Sequence, residues 1–130
     1  MLADTSALLA LVFRDDQNHE AAVEVVRRRP DARFLLTELI VAEVATRTRA
    51  YAGAERAVGV ARDLLASRRY DLVFVDAALF EDALERMARF ADKRLSLTDC
   101  ASFAVMERLG LAAAFTFDRD FRDCGYATVP

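Results

Sequence analysis

Met1-Leu2-Ala3-Asp4-Thr5-Ser6-Ala7-Leu8-Leu9 is the stretch whose reading decides the fold. A short apolar run leads to an acid and two hydroxyls, after which apolar residues continue at helical spacing. The pattern predicts a strand running into a helix, with Asp4 at the junction. In open parallel sheets that junction is where ligands sit, outside the carboxyl ends of the strands. Glu43, Asp99 and Asp118 fall at comparable places further along.

Working outward from this stretch, the pattern repeats. Helices are expected over Ser6–Phe13, Asn18–Arg29, Thr37–Tyr51, Ala54–Arg68, from Asp76 onward, and from Ser96 to Gly110. Strands are expected at Phe34–Leu36, Leu72–Val75, Ala113–Phe117 and Ala127–Val129, with a polar turn or short helix over Asp118–Asp123. Continuous apolar strands alternating with amphipathic helices predict an α/β fold, a central parallel sheet flanked by helices on both faces. The expected buried stripes are Leu39, Ile40, Val44 and Ala45 in the third helix and Ala57, Val58, Ala61, Leu64 and Leu65 in the fourth. In the fifth they are Leu79, Phe80, Ala83, Leu84 and Met87. With 130 residues, 55% of them hydrophobic, the chain is expected to form one domain, 1–130, around one core.

Composition excludes several functions. No run approaches the roughly 18 apolar residues of a bilayer span. An acid at position 4 and no basic leader point to a cytoplasmic protein. Cys100 and Cys124 belong to no metal-binding spacing and are expected to be reduced thiols. The net charge of -3 argues against holding nucleic acid by bulk positive field. His19 is the sole histidine, so a metal-free cleavage by paired histidines is excluded. No phosphate-binding glycine loop and no serine-nucleophile motif occurs.

What remains is acid, hydroxyl and metal. Each acid has a structural use by itself. Asp4 suits a helix N-terminus, Asp99 completes an S-x-x-D capping box with Ser96, Glu43 can pair with Arg47, and Asp118 can open a turn. Glu43, however, lies on a stripe with Leu39 and Ile40 that should be apolar. If the acids converge, carboxylates about 4 Å apart repel by roughly 4 kcal/mol at an effective dielectric near ~20. A hard divalent cation, Mg²⁺ or Mn²⁺, would relieve that repulsion. Thr5, Ser6, Thr98 and Thr116 stand beside the acids, where they could orient carboxylates or metal-bound water. Arg14, Arg47, Arg94 and Arg119 are candidates for holding flanking phosphates.

These residues resemble a known family. Asp4-Thr5-Ser6, Glu43 with Thr46, Leu97-Thr98-Asp99-Cys100-Ala101-Ser102 and Thr116-Phe117-Asp118-Arg119-Asp120-Phe121 occur in the order and spacing of the PIN-domain ribonucleases. They look most like the VapC-type toxins of toxin–antitoxin pairs. The resemblance implies a PIN-like fold and a Mg²⁺- or Mn²⁺-dependent endoribonuclease acting on single-stranded RNA. It implies Asp4 and Asp99 as principal metal ligands, with Glu43 and Asp118 as the other two acids and Thr116 beside the last. It also implies an antitoxin partner and a homodimer. Asp118 follows the strand directly and is taken as the last site acid, with Asp120 as its alternative. Two rival functions fit the same residues: an RNA- or partner-binding module without turnover, and a small-molecule phosphate hydrolase using Asp4 as nucleophile. The second is disfavoured because Ser6 occupies the position where that chemistry wants another acid.

Overall fold

The computed structural model describes residues 1–130. In chain order the elements are β1 (Leu2–Ala3), α1 (Thr5–Val12), α2 (His19–Arg27), β2 (Phe34–Thr37), α3 (Glu38–Ala52) and α4 (Ala54–Ala66). There follow β3 (Tyr70–Val73), α5 (Ala77–Arg89), α6 (Leu97–Arg108), β4 (Ala113–Phe115), α7 (Arg119–Asp123) and β5 (Ala127–Val129). The five strands form one sheet in the order β3-β2-β1-β4-β5, every pairing parallel. The predicted α/β architecture is the one observed.

β1 is short because its job is small. Leu2 pairs with Leu35 on one side and Ala114 on the other, and Ala3 with Phe115. Both residues are fully buried, so both faces of the sheet are covered at its centre. Alternation along β2 shows how. Phe34 and Leu36 join the large core that includes Leu8, Val25, Ile40 and Leu64 from the first four helices, while Leu35 packs on Leu79, Ala104 and Val105 from α5 and α6. Every residue from Cys100 to Met106 is buried, so α6 is enclosed all round rather than amphipathic.

Helix starts carry the caps their sequences promise. Thr37 accepts from Ile40 N at 3.2 Å and Asp76 from Leu79 N at 2.8 Å. Gly53, at φ +90°, turns α3 directly into α4, and Gly110, at φ +63°, closes α6. No helix is long and apolar enough to cross a membrane. Both cysteines are free thiols, and His19 Nδ1 lies 2.7 Å from Ala10 O at the start of α2.

Three sequence expectations need correction. The third strand is Tyr70–Val73, two residues earlier than Leu72–Val75: it pairs in register from Phe34↔Tyr70 to Thr37↔Val73 and stops where β2 stops. Phe74 then leaves the sheet, 69% exposed, and Val75 N donates to the Glu38 carboxylate at 2.9 Å and 3.0 Å. In α4 the buried stripe is Ala57, Val60 and Leu64, with Val58 and Leu65 exposed. In α5 it is Leu79, Ala83 and Arg86, with Phe80, Leu84 and Met87 exposed.

Candidate active site at the carboxyl edge of the sheet

Sheet order reverses at β1: β2 and β3 lie on one side of it, β4 and β5 on the other. The crevice outside the carboxyl ends of β1 and β4 is therefore the topological switch point. Asp4 follows β1 there, and its backbone N donates to Phe115 O at 2.9 Å. The side chain caps α1 and is 4% exposed. Its Oδ2 accepts from Ser6 N at 3.2 Å, from Ser6 Oγ at 2.8 Å and from Thr116 Oγ1 at 3.0 Å. Thr116, at the end of β4, in turn accepts from Asp118 N at 2.9 Å, and Ser6 Oγ accepts from Phe117 N at 2.9 Å. Two hydroxyls thus tie Asp4 to the stretch that carries Asp118.

Asp118 caps α7, with Oδ1 accepting from Asp120 N at 2.9 Å. Asp99 lies in the first turn of α6, in the capping box anticipated from Ser96: Asp99 Oδ2 accepts from Ser96 N at 2.8 Å and Ser96 Oγ from Asp99 N at 3.0 Å. Burial pushes the Asp99 carboxyl up to about 6; the Ser96 hydrogen bonds oppose that rise, and the negative charges of Asp4 and Asp118 add to it. Three acids remote in sequence therefore share one electrostatic neighbourhood.

Glu43 is half-buried on α3, beside the buried line of Ile40, Val44 and Thr48 rather than on it, and its closest cation is Arg47 at 3.8 Å. Thr5 Oγ1 is buried without a hydrogen-bond partner, so Thr5 does not hold Asp4 as Ser6 and Thr116 do. Thr98 is half-buried, its carbonyl accepting from Ser102 Oγ at 2.9 Å. Arg14, Arg94 and Arg119 are exposed. Arg94 precedes the α6 cap and Arg119 opens α7, both near the acids in the chain, whereas Arg14 follows the opposite end of α1.

The donor set suits a hard divalent cation. Each of the three acids keeps one carboxylate oxygen without a hydrogen bond: Oδ1 of Asp4, Oδ1 of Asp99 and Oδ2 of Asp118. No three His, Cys, Asp or Glu side chains close around a common point at coordinating distance, and the Asp99 carboxylate is turned back onto its own helix cap.

Sequence reasoning gave Arg86 no role, yet it is one of the few buried charges. It lies 5% exposed between Asp82, at 2.8 Å, and Glu107, at 2.5 Å, joining α5 to α6. Its only sequence signal is the i,i+4 spacing from Asp82.

The fold and the acid at its switch point define a class. Residues 1–125 match the PIN domain family, and the chain belongs to it. The 23S rRNA-specific endonuclease VapC20 of Mycobacterium tuberculosis is 30% identical over 129 residues, spanning 99% of this chain and 97% of that protein. Ribonuclease VapC26 of the same organism is 29% identical over 119 residues, spanning 92% and 87%. The crystal structure of M. tuberculosis VapC20, described as a Sarcin-Ricin loop cleaving toxin, superposes with a TM-score of 0.89 at 28% identity, covering 97% of this chain and 95% of that one.

Proposed function

We propose that this protein is a metal-dependent endoribonuclease that hydrolyses phosphodiester bonds of single-stranded RNA, working in the cytoplasm as the toxin of a toxin–antitoxin pair. The observation that carries the reading is the Asp4 carboxylate at the switch point, held there by Ser6 and Thr116, with Asp118 tied to the same Thr116 hydroxyl. The relatives named as ribonuclease and rRNA endonuclease support the substrate class.

Asp4 and Asp99, through their unengaged oxygens, would hold Mg²⁺ or Mn²⁺, with Asp118 and Glu43 completing the acidic set. Bound there, such an ion supplies charge neutralisation at the phosphate and a more acidic water. Asp4 presents its free oxygen in a fixed direction because three donors occupy the other. Asp118, anchored through Thr116, aligns the attacking water with its unengaged oxygen. Arg94 and Arg119 hold phosphates flanking the scissile bond. A small antitoxin covers the acidic crevice, and the toxin itself is a homodimer.

The test is cleavage of single-stranded RNA, with ribosomal RNA in the panel, in Mg²⁺, in Mn²⁺ and in EDTA. Metal-dependent cleavage lost in both Asp4→Asn and Asp99→Asn is expected. Cleavage that persists in EDTA or in both variants refutes the mechanism. The alternative, an RNA- or partner-binding module, is favoured by the turned-back Asp99 and by the Glu43–Arg47 pair. Metal and RNA binding without cleavage in the same assay would select it.

A further inference from the structure

The far ends of α1 and α3 frame a cavity of about 270 Å³ lined by Leu9, Phe13, Asp15, Asp16, Arg47 and Tyr51. Tyr51 meets Phe13 edge-on, with ring centroids 4.9 Å apart and planes at 78°. Its hydroxyl donates to Asp15 Oδ2. The ring is nevertheless 65% exposed. An aromatic ring fixed at both its edge and its hydroxyl, yet left uncovered, is a ready stacking platform.

The chemistry of the rim narrows the ligand. The volume sits below the usual range for drug-sized ligands, roughly 300–1,000 Å³, and suits one planar ring system. Asp15 keeps Oδ1 without a donor, and Asp16, whose Oδ1 accepts from Asn18 N at 2.7 Å, keeps Oδ2. Two carboxylates repel phosphate but accept from ring N–H and exocyclic amino groups. Arg47 is the cavity's cation, and its guanidinium lies 3.8 Å from the Glu43 carboxylate one helical turn back along α3. From Asp4 at one end of α1 to Phe13 at the other is about 13 Å, within reach of a short single strand.

We propose that this cavity is a nucleobase subsite: a base of single-stranded RNA, splayed from the strand that enters the acidic crevice, stacks on Tyr51 while Asp15 and Asp16 accept from its N–H groups and Arg47 meets the adjoining backbone. The inference rests on the RNA reading above and adds a recognition element to it. Base stacking on exposed aromatics supplies part of the hold on a single strand, beside the contacts of cations with its backbone, and that part weighs more in a chain of net charge -3.

The experiment is fluorescence anisotropy of a labelled, short single-stranded oligoribonucleotide in EDTA, where no metal-dependent cutting occurs. Tyr51→Ala is expected to weaken binding about tenfold or more, while Tyr51→Phe stays close to wild type. An abasic ribose–phosphate oligomer of the same length is expected to bind wild type and Tyr51→Ala alike. If Tyr51→Ala fails to fold, Tyr51→Leu retains the contact with Phe13 and carries the same expectation. Equal affinity of both proteins for RNA, an equal loss on the abasic oligomer, or a wild type that binds no short RNA overturns the subsite. Tyr51-dependent binding by a protein that cuts nothing leaves the subsite standing and removes the nuclease reading. Cleavage with affinity unchanged in Tyr51→Ala does the reverse.

Discussion

The carboxylate of Asp4 is anchored by a hydroxyl from its own helix and one from the residue that follows β4, and the consequences can be measured residue by residue. Removing that second hydroxyl with Thr116→Val leaves Asp4 in place but freer to rotate and frees Asp118 N. A supporting contact of this kind is worth about 10–100-fold in metal affinity or activity. The expected result is a shift of that size in the Mg²⁺ concentration giving half-maximal cleavage, with the unfolding midpoint little changed. Asp99 gives a pH prediction for metal-free protein. Its folded-state carboxyl, near 6, lies above the ordinary value of 3.8, so the folded state prefers it protonated. Its contribution to stability is fully present below about pH 4 and is lost as pH rises through 6, by about 3 kcal/mol at most. In EDTA, Asp99→Asn should therefore gain stability relative to wild type between pH 4 and pH 7 in urea melts, and saturating Mg²⁺ should shrink that gain. At this scale the sequence was informative where chemistry is local. Ser6 and Thr116 were legible as supports because they adjoin Asp4 and Asp118 in the chain. Thr5 was equally adjacent and points elsewhere, since adjacency does not specify which way a first-turn hydroxyl faces.

Helices and strands were legible in kind and order, less so in facing. Both Leu79-Ala83-Arg86 and Phe80-Leu84-Met87 are continuous lines at helical spacing along α5. Hydrophobicity favours the second, yet the first is buried, because Arg86 brings its own counterions from Asp82 and Glu107 and can enter the α5–α6 interface. A line containing arginine reads as a solvent face until its partners are seen. The Arg86 cluster also supplies a stability test. Glu107→Ala leaves a buried guanidinium short of an acceptor, which should cost about 1–3 kcal/mol in urea unfolding. Removing the exposed Arg27 by Arg27→Ala, which leaves Glu24 still held by Arg28, should change stability by less than about 0.5 kcal/mol. The third strand slipped by two residues for a related reason. Leu72-Val73-Phe74-Val75 is the most apolar run, but pairing to β2 sets the strand's end, and the sequence of β3 alone carries no record of where its neighbour stops.

For the molecule as a whole, one sheet with helices over both faces ties the stretches of Asp4 and Asp118 together through Thr116 while leaving a stripe of Phe80, Leu84 and Met87 open, each at least 36% exposed. Contiguous exposed apolar side chains on a folded domain mark an association surface. The homodimer reading makes this concrete: sedimentation should show a dimer for wild type and a monomer for Leu84→Glu, with the melting midpoint of the variant reporting that its fold is intact. Family membership was legible because its motifs survive in order along the whole chain. Glu43's place beside the buried line of α3 rather than on it was not, because a helix sets its buried face by rotation and tilt that no spacing encodes. The aromatic trio at the end of the chain bears on how the protein tolerates shortening. Phe103 stacks on Tyr126 at 4.6 Å and meets Phe121 at 4.8 Å, and Phe121 belongs to the helix that Asp118 caps. A chain cut after Gly125 keeps every acid yet sheds the outer ring of this sandwich and the β5 edge, so it should lose function through a wandering Asp118 rather than through any missing reactive group.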